Sequence, residues 1–191
     1  DTGGGELPPW ARKRLRTSGA PLMRQLSLDL LYLLDHRYQV LDAPHYMPSL
    51  GEQLTALGER ARDSAGKPYY AMETILDQQT IKKVLVLEAG RQLQEGEYSI
   101  TVIGGRRIGP EFLESVRKLD GVQVRVVGAK GEELVPAEQP WQHQAGMFSY
   151  PLKGHDGAEV ARVEQRVTND ALPALLEKVT LYSAALAGAA L

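Results

Sequence analysis

The chain has 191 residues, with 22 Lys and Arg against 24 Asp and Glu and a formal net charge of −2. About 70% of the unfolded surface of such a chain can be buried in one domain, and its near-neutral balance supplies none of the long-range field a nucleic-acid binder uses. Cysteine is absent, which excludes disulfides, thiolate zinc sites, iron–sulfur clusters and a Cys nucleophile, and suits either redox environment.

Residues 1–7, opening Asp1-Thr2-Gly3-Gly4-Gly5, read as a flexible lead, an expression remnant or a linker. A single domain is expected over 8–191: a helical part at 8–64, a mixed helix and sheet part at 74–178, and a membrane-proximal helix starting at 179–191. Pro8-Pro9-Trp10 opens the first helix, which Gly19-Ala20-Pro21 interrupts. Leu22, Met23, Leu26, Leu30, Leu33, Leu34 and Tyr38 then recur at three- and four-residue steps, predicting a helix to about Val40. Ser49 and Glu52 fit a capping box for a helix carrying Leu50, Leu54, Leu57 and Ala61. Residues 63–70 form a loop, and 74–94 read as a further helix in which Val84-Leu85-Val86-Leu87 fits a short strand equally well.

The period then changes. Tyr98-Ser99-Ile100-Thr101-Val102-Ile103 is a strand ended by Gly104-Gly105, and Pro110 starts a helix carrying Phe112, Leu113, Val116 and Leu119. Residues 122–127 alternate as a strand. A Gly, Pro and Gln-rich loop at 128–146 holds Trp141 and His143. Phe148 to Leu152 form a strand that Pro151 assigns to an edge or bulge, and a turn at 154–157 leads to the last strand at 160–167. Asn169-Asp170 caps a final helix with Leu172, Leu175, Leu176, Val179 and Leu186. The expected fold is α+β, a small antiparallel sheet covered by helices.

No charge follows Lys178. Thirteen residues of helix cover roughly 20 Å, too short to span a bilayer. The segment is either an amphipathic helix packed on the body or the outer edge of a transmembrane helix.

Catalytic signatures fail one after another. There is no Gly-x-Ser-x-Gly elbow and no His-Glu-x-x-His, Gly66-Lys67-Pro68 lacks the rest of a phosphate loop, and Gly104-Gly105 lacks a third glycine. His36, His45, His143 and His155 are too scattered for a metal site, and no cofactor is indicated. Five residues remain as candidates for a ligand site: Arg106 after the glycine pair, Arg125 alternating with Val124 and Val126, Trp141 and His143 in the long loop, and Tyr150. An Arg fork beside a phenol or imidazole suits a small carboxylate or an amino acid. Tyr69-Tyr70 fits either a pocket wall or aromatic core, and Arg12-Lys13-Arg14-Leu15-Arg16 fits either a solvated face or contact with acidic headgroups.

The stretch Val102-Ile103-Gly104-Gly105-Arg106-Arg107-Ile108, with Phe112-Leu113 and Leu119-Asp120-Gly121-Val122-Gln123-Val124, resembles the extracytoplasmic sensor domains of bacterial membrane sensor histidine kinases. Tyr150-Pro151-Leu152, Asp156-Gly157 and Val160-Ala161-Arg162-Val163, followed by a Leu-rich helix, look like their approach to the second membrane span; the likeness covers roughly 74–191. It implies a PAS-like, Cache-type fold flanked by long N- and C-terminal helices and a domain that itself catalyses nothing. It also implies a periplasmic position on an inner-membrane protein, a homodimer, and a small-molecule signal carried through the terminal helices to a two-component kinase. Chemoreceptors and membrane-bound cyclases share such modules. The rival class is a small soluble enzyme with a catalytic loop at 128–146, using His143 with Glu138.

Overall fold

A computed structural model of the chain describes residues 5–77, 79–116, 122–137, 141 and 147–167. The final helix expected after Asn169 and the residues His143, Glu138 and Leu119 lie outside them. The chain divides into two compact units, residues 1–108 with 152–160, and residues 109–151 with 161–191.

The first unit is a five-stranded antiparallel sheet with a helix on each face. Its strands are β1 (Leu30–Leu34), β2 (Val40–Asp42), β3 (Tyr69–Asp77), β4 (Thr80–Glu95) and β5 (Tyr98–Arg107), in the order β2-β1-β5-β4-β3. Helix α1 (Pro9–Gln25) covers one face, where Ala11, Leu15, Leu22 and Met23 pack with Leu31, Leu33 and Leu41. Helix α2 (Thr55–Ser64) covers the other, where Leu57 and Ala61 join Leu30, Tyr32, Leu34 and Ile103.

Three sequence expectations are corrected here. Helix α1 runs unbroken through Gly19 and Pro21 for 17 residues. Proline removes one helical amide, but the turn before it is tied down: the Thr17 and Ser18 hydroxyls both donate to the Arg14 carbonyl, and the Gly19 amide donates to Asp42 at 3.1 Å. The apolar run after it is a strand. All five residues of β1 are buried, alternately toward α2 and toward α1, so the three- and four-residue spacing reflected burial on both faces of a sheet. Asp35 then reverses the chain by accepting the amides of Arg37 and Gln39. The helix expected at 74–94 is the hairpin β3–β4, with the strand alternative for Val84 to Leu87 realised and much extended.

Smaller corrections follow. Ser49 ends a one-turn helix at Met47–Ser49 and donates to the Tyr46 carbonyl; it caps nothing, and α2 starts at Thr55. Strand β5 continues through Gly104-Gly105 to Arg107, because Gly105 must lie flat against its neighbours: a Cβ there would sit 2.5 Å from Val86 and 3.2 Å from Glu88 Cβ.

Small residues set how closely α2 lies on the sheet. A Cβ on Gly90 of β4 would meet the Ala61 Cβ at 2.4 Å, and one on Gly58 would strike the Tyr38 ring at 2.1 Å. Gly90→Ala should therefore push α2 outward and cost about 1–3 kcal/mol, read as a lowered urea midpoint with an unchanged slope.

The second unit holds α3 (Pro110–Val116) and most of a four-stranded sheet of β6 (Val122–Gly128), β7 (Glu133–Val135), β8 (Met147–Lys153) and β9 (Glu159–Val167), in the order β7-β6-β9-β8; residues 152–160, where β8 ends and β9 begins, belong to the first unit. Strand β8 sits at the edge, as Pro151 requires. The loop expected at 128–146 contains β7, paired with β6. The fold is α+β with two sheets, and α1 is its longest described helix. No described helix is long and apolar enough to cross a membrane.

Candidate functional site

The α2 face of the first sheet carries a polar cluster that alternation explains. In β3 the residues Tyr69, Ala71, Glu73 and Ile75 point to one face, and cross-strand register places Glu88 of β4 opposite Tyr69 and Gly105 of β5 opposite Glu88. Tyr32 of β1 shares this face. Helix α2 lays Arg60 over it, so two carboxylates, one guanidinium and two phenols converge.

Arg60 Nη2 stands 2.5 Å from Glu73 Oε1 and 3.5 Å from Glu88 Oε1. The Glu88 side chain has no solvent exposure, and neither of its oxygens accepts a hydrogen bond of normal geometry. Burial, reinforced by the charge of Glu73, pushes its carboxyl up to about 7, against the pull of Arg60 and the neighbouring Tyr69 hydroxyl. Burial also raises the Glu73 carboxyl, opposed by its bond to Arg60. The Tyr32 and Tyr69 phenols are raised by burial and by the two carboxylates. Burial alone would lower Arg60, but Glu73 and Glu88 outweigh it and hold the guanidinium charged.

His45, in the loop before α2, stacks edge-on against Tyr32 with ring centres 4.4 Å apart. Its Nδ1 lies 3.0 Å from the Leu31 carbonyl and 3.3 Å from the Leu31 amide. Burial lowers this imidazole to about 4, the Leu31 carbonyl opposing, so it is neutral at pH 7.

Beside this cluster opens a cavity of about 540 Å³, between α2, the preceding loop and the sheet. Tyr32, Tyr46, Glu52, Arg60, Glu73 and Thr74 are among its walls. Its size suits a small ligand.

The five residues anticipated from sequence are placed differently. Arg106 is exposed near the end of β5, in the first unit. The second unit brings two of the others together: the Arg125 guanidinium lies 4.2 Å over the Trp141 ring, with Arg166 at 5.7 Å. Arg125 is occupied there, because Glu164 of β9 receives its Nη2 at 2.7 Å and its Nε at 2.8 Å. Glu164 also receives Arg162 at 2.9 Å; burial would raise its carboxyl, but these two arginines hold it below the usual carboxylate range. Tyr150 is 55% exposed on β8, and His143 lies outside the described residues. No group of three His, Asp or Glu side chains is placed to hold a metal ion among the described residues.

Sequence reasoning missed Arg60, Glu73 and Glu88. Their signal was present but hidden by the helical reading of 74–94. Taken as strands, Tyr69-Ala71-Glu73-Ile75 and Val84-Val86-Glu88-Gly90 each place an acid at an inward position of an apolar alternation, and a buried carboxylate there demands a partner.

No family model matches the chain, and no curated protein matches it in sequence. Solved structures do match in fold. One crystal structure of the Vibrio cholerae LuxQ periplasmic domain aligns over 85% of this chain and 83% of that one, at 16% identity and a TM-score of 0.54. A second structure of the same domain aligns over 83% and 82%, at 15% identity and a TM-score of 0.52. The sensor domain of the V. cholerae histidine kinase DctB aligns over 82% and 78%, at 7% identity and a TM-score of 0.46. The chain has the fold of bacterial periplasmic sensor domains.

Proposed function

We propose that the chain is the extracytoplasmic, signal-sensing domain of a membrane sensor, a two-component histidine kinase being the first choice and a chemoreceptor or membrane-bound cyclase the alternative. The fold it has in common with the LuxQ periplasmic domain is the observation that carries this reading. The cavity beneath α2 supplies a place for a small-molecule signal, and we locate the ligand there rather than at the loop of 128–146, because Arg125 is committed to Glu164 and Trp141.

In this reading a ligand works by preferring one arrangement of α2 over the sheet, and shifts the receptor by no more than that difference in affinity. The signal leaves through the chain ends, α1 and residues 168–191, and the charge-free stretch 179–191 leads toward the membrane. The domain acts as a homodimer on the periplasmic face of the inner membrane and catalyses nothing itself. The enzyme reading draws no support from geometry, since His143 and Glu138 lie outside the described residues.

The test is one of compartment. In the native full-length gene, alkaline phosphatase joined behind residue 167 should be active, because that enzyme matures only where disulfides form. An inactive fusion, with a cytoplasmic reporter active at the same point, would overturn the assignment.

A further inference from the structure

The charge inside the cavity is unbalanced. Among the described residues that line it are two carboxylates, Glu52 and Glu73, and a single cation, Arg60. A third carboxylate, Glu88, stands behind them with no solvent exposure. Arg60 is already engaged through one nitrogen, its Nη2 bonded to Glu73 and close to Glu88, while its Nε is buried without a hydrogen-bond partner. Glu73 uses one oxygen, Oε1, on Arg60. The two oxygens of Glu88 accept no hydrogen bond of normal geometry. What this face lacks is positive charge, one guanidinium standing against Glu52, Glu73 and Glu88. It also carries two phenol rings, Tyr32 and Tyr46, whose faces attract a cation.

Resting on the sensor reading above, we propose that the cavity beneath α2 binds a small organic cation, an alkylammonium group bearing no carboxylate of its own, with Glu73 as its counter-charge and Tyr32 and Tyr46 as its walls. An amino acid fits less well, since its carboxylate would face Glu73 and Glu52, and the guanidinium of Arg60 is already shared between Glu73 and Glu88. The buried pair behind the cavity couples this binding to protons. The charged groups facing Glu88 are Glu73 and Arg60, with the phenols of Tyr69 and Tyr32 beside them. Without ligand its carboxyl sits at about 7, so it is mostly ionised at pH 8 and mostly protonated at pH 6. A bound cation favours the ionised form, and the ionised fraction falls about tenfold between those pH values. Affinity should fall by up to the same factor.

The experiment is titration calorimetry and melting of the chain with ethanolamine, putrescine and tetramethylammonium, against acetate, succinate and glycine. At least one alkylammonium should bind at pH 8, and a probe at about 100 times its dissociation constant should raise the melting midpoint by several degrees. Tetramethylammonium does not titrate, so weakening of its binding by up to tenfold at pH 6 reports the protein alone. That pH dependence should flatten in Glu88→Gln. Glu73→Gln should weaken binding at least tenfold; Glu52→Gln, on the exposed rim, gives a smaller loss in a chain whose folding it does not touch. Binding of the carboxylates or of glycine in place of the amines would overturn the inference. So would an amine affinity unchanged in both Glu73→Gln and Glu52→Gln, or no amine bound at millimolar concentration. None of these outcomes touches the alkaline phosphatase result, so the ligand class and the sensor reading fall separately.

Discussion

Glu88→Gln should remove a pH dependence of stability worth roughly 3 kcal/mol between pH 4.5 and pH 8. In the folded chain this carboxyl keeps its proton up to about 7, whereas in the unfolded chain it loses it near 4.5. A proton held more tightly by the folded state stabilises that state. The contribution is therefore complete below 4.5, shrinks as the pH rises, and is gone above about 7. Exposed or paired acids such as Asp77 and Glu164 act in the opposite sense at lower pH, because their folded carboxyls lie below the ordinary value. The informative quantity is thus the difference between wild type and Glu88→Gln. Glutamine keeps the shape and never ionises, so that difference should grow in favour of the variant as the pH rises from 5 to 8. Urea midpoints at four pH values measure it. A difference curve flat across this range would mean that Glu88 is solvated in solution.

Arg60→Leu carries the second large effect. It leaves Glu73 and Glu88 facing one another under α2 with no cation between them, and a buried charge stripped of its partner costs about 3–5 kcal/mol. Arg60 is itself 27% exposed, which places the expectation at the lower end. For a chain of this length that is a drop of roughly 10 °C in melting midpoint at pH 8. At pH 5 the loss should be smaller, since the carboxyls can take up protons instead. Adding Glu88→Gln to Arg60→Leu should recover much of the loss at pH 8. Equal destabilisation at both pH values would point to lost packing of the arginine stem, with no part played by the charges.

The parts of the chain legible from sequence were those where one physical signal acted alone. Tyr98 to Ile103 and Val122 to Val127 are β-branched and alternate, Pro110 opens its helix, and Pro151 marks the edge strand; all are strands or helices where the pattern put them. The failures share one cause. Leu30 to Leu34 lie in a strand buried on both faces, and such a strand loses its alternation and takes on the look of a helix. Glu73 and Glu88 were passed over for the converse reason, since charged residues normally mark the outside of an element, and here they mark its inside. Arg125 and Trp141, two of the ligand-site candidates, do lie together, the guanidinium 4.2 Å over the ring. The sequence could not tell that Glu164, 39 positions further on, would close that arginine off.

Strand β5 lies between β1 and β4, and it is the last of the five to be made. Until residue 101 exists, β1 can pair with nothing but the three residues of β2, and its ladder is complete only when Leu30 meets Gly105. The hairpin of β3 and β4 is complete well before then. A chain crossing a membrane in extended form, N-terminus first, would thus present Leu30 to Leu34 and the apolar side of α1 to water or to a chaperone throughout that interval. Closure of the sheet waits on this one long-range pairing, which sets a high loop-closure cost on the folding step. The strand that completes the sheet is also the timer of its assembly.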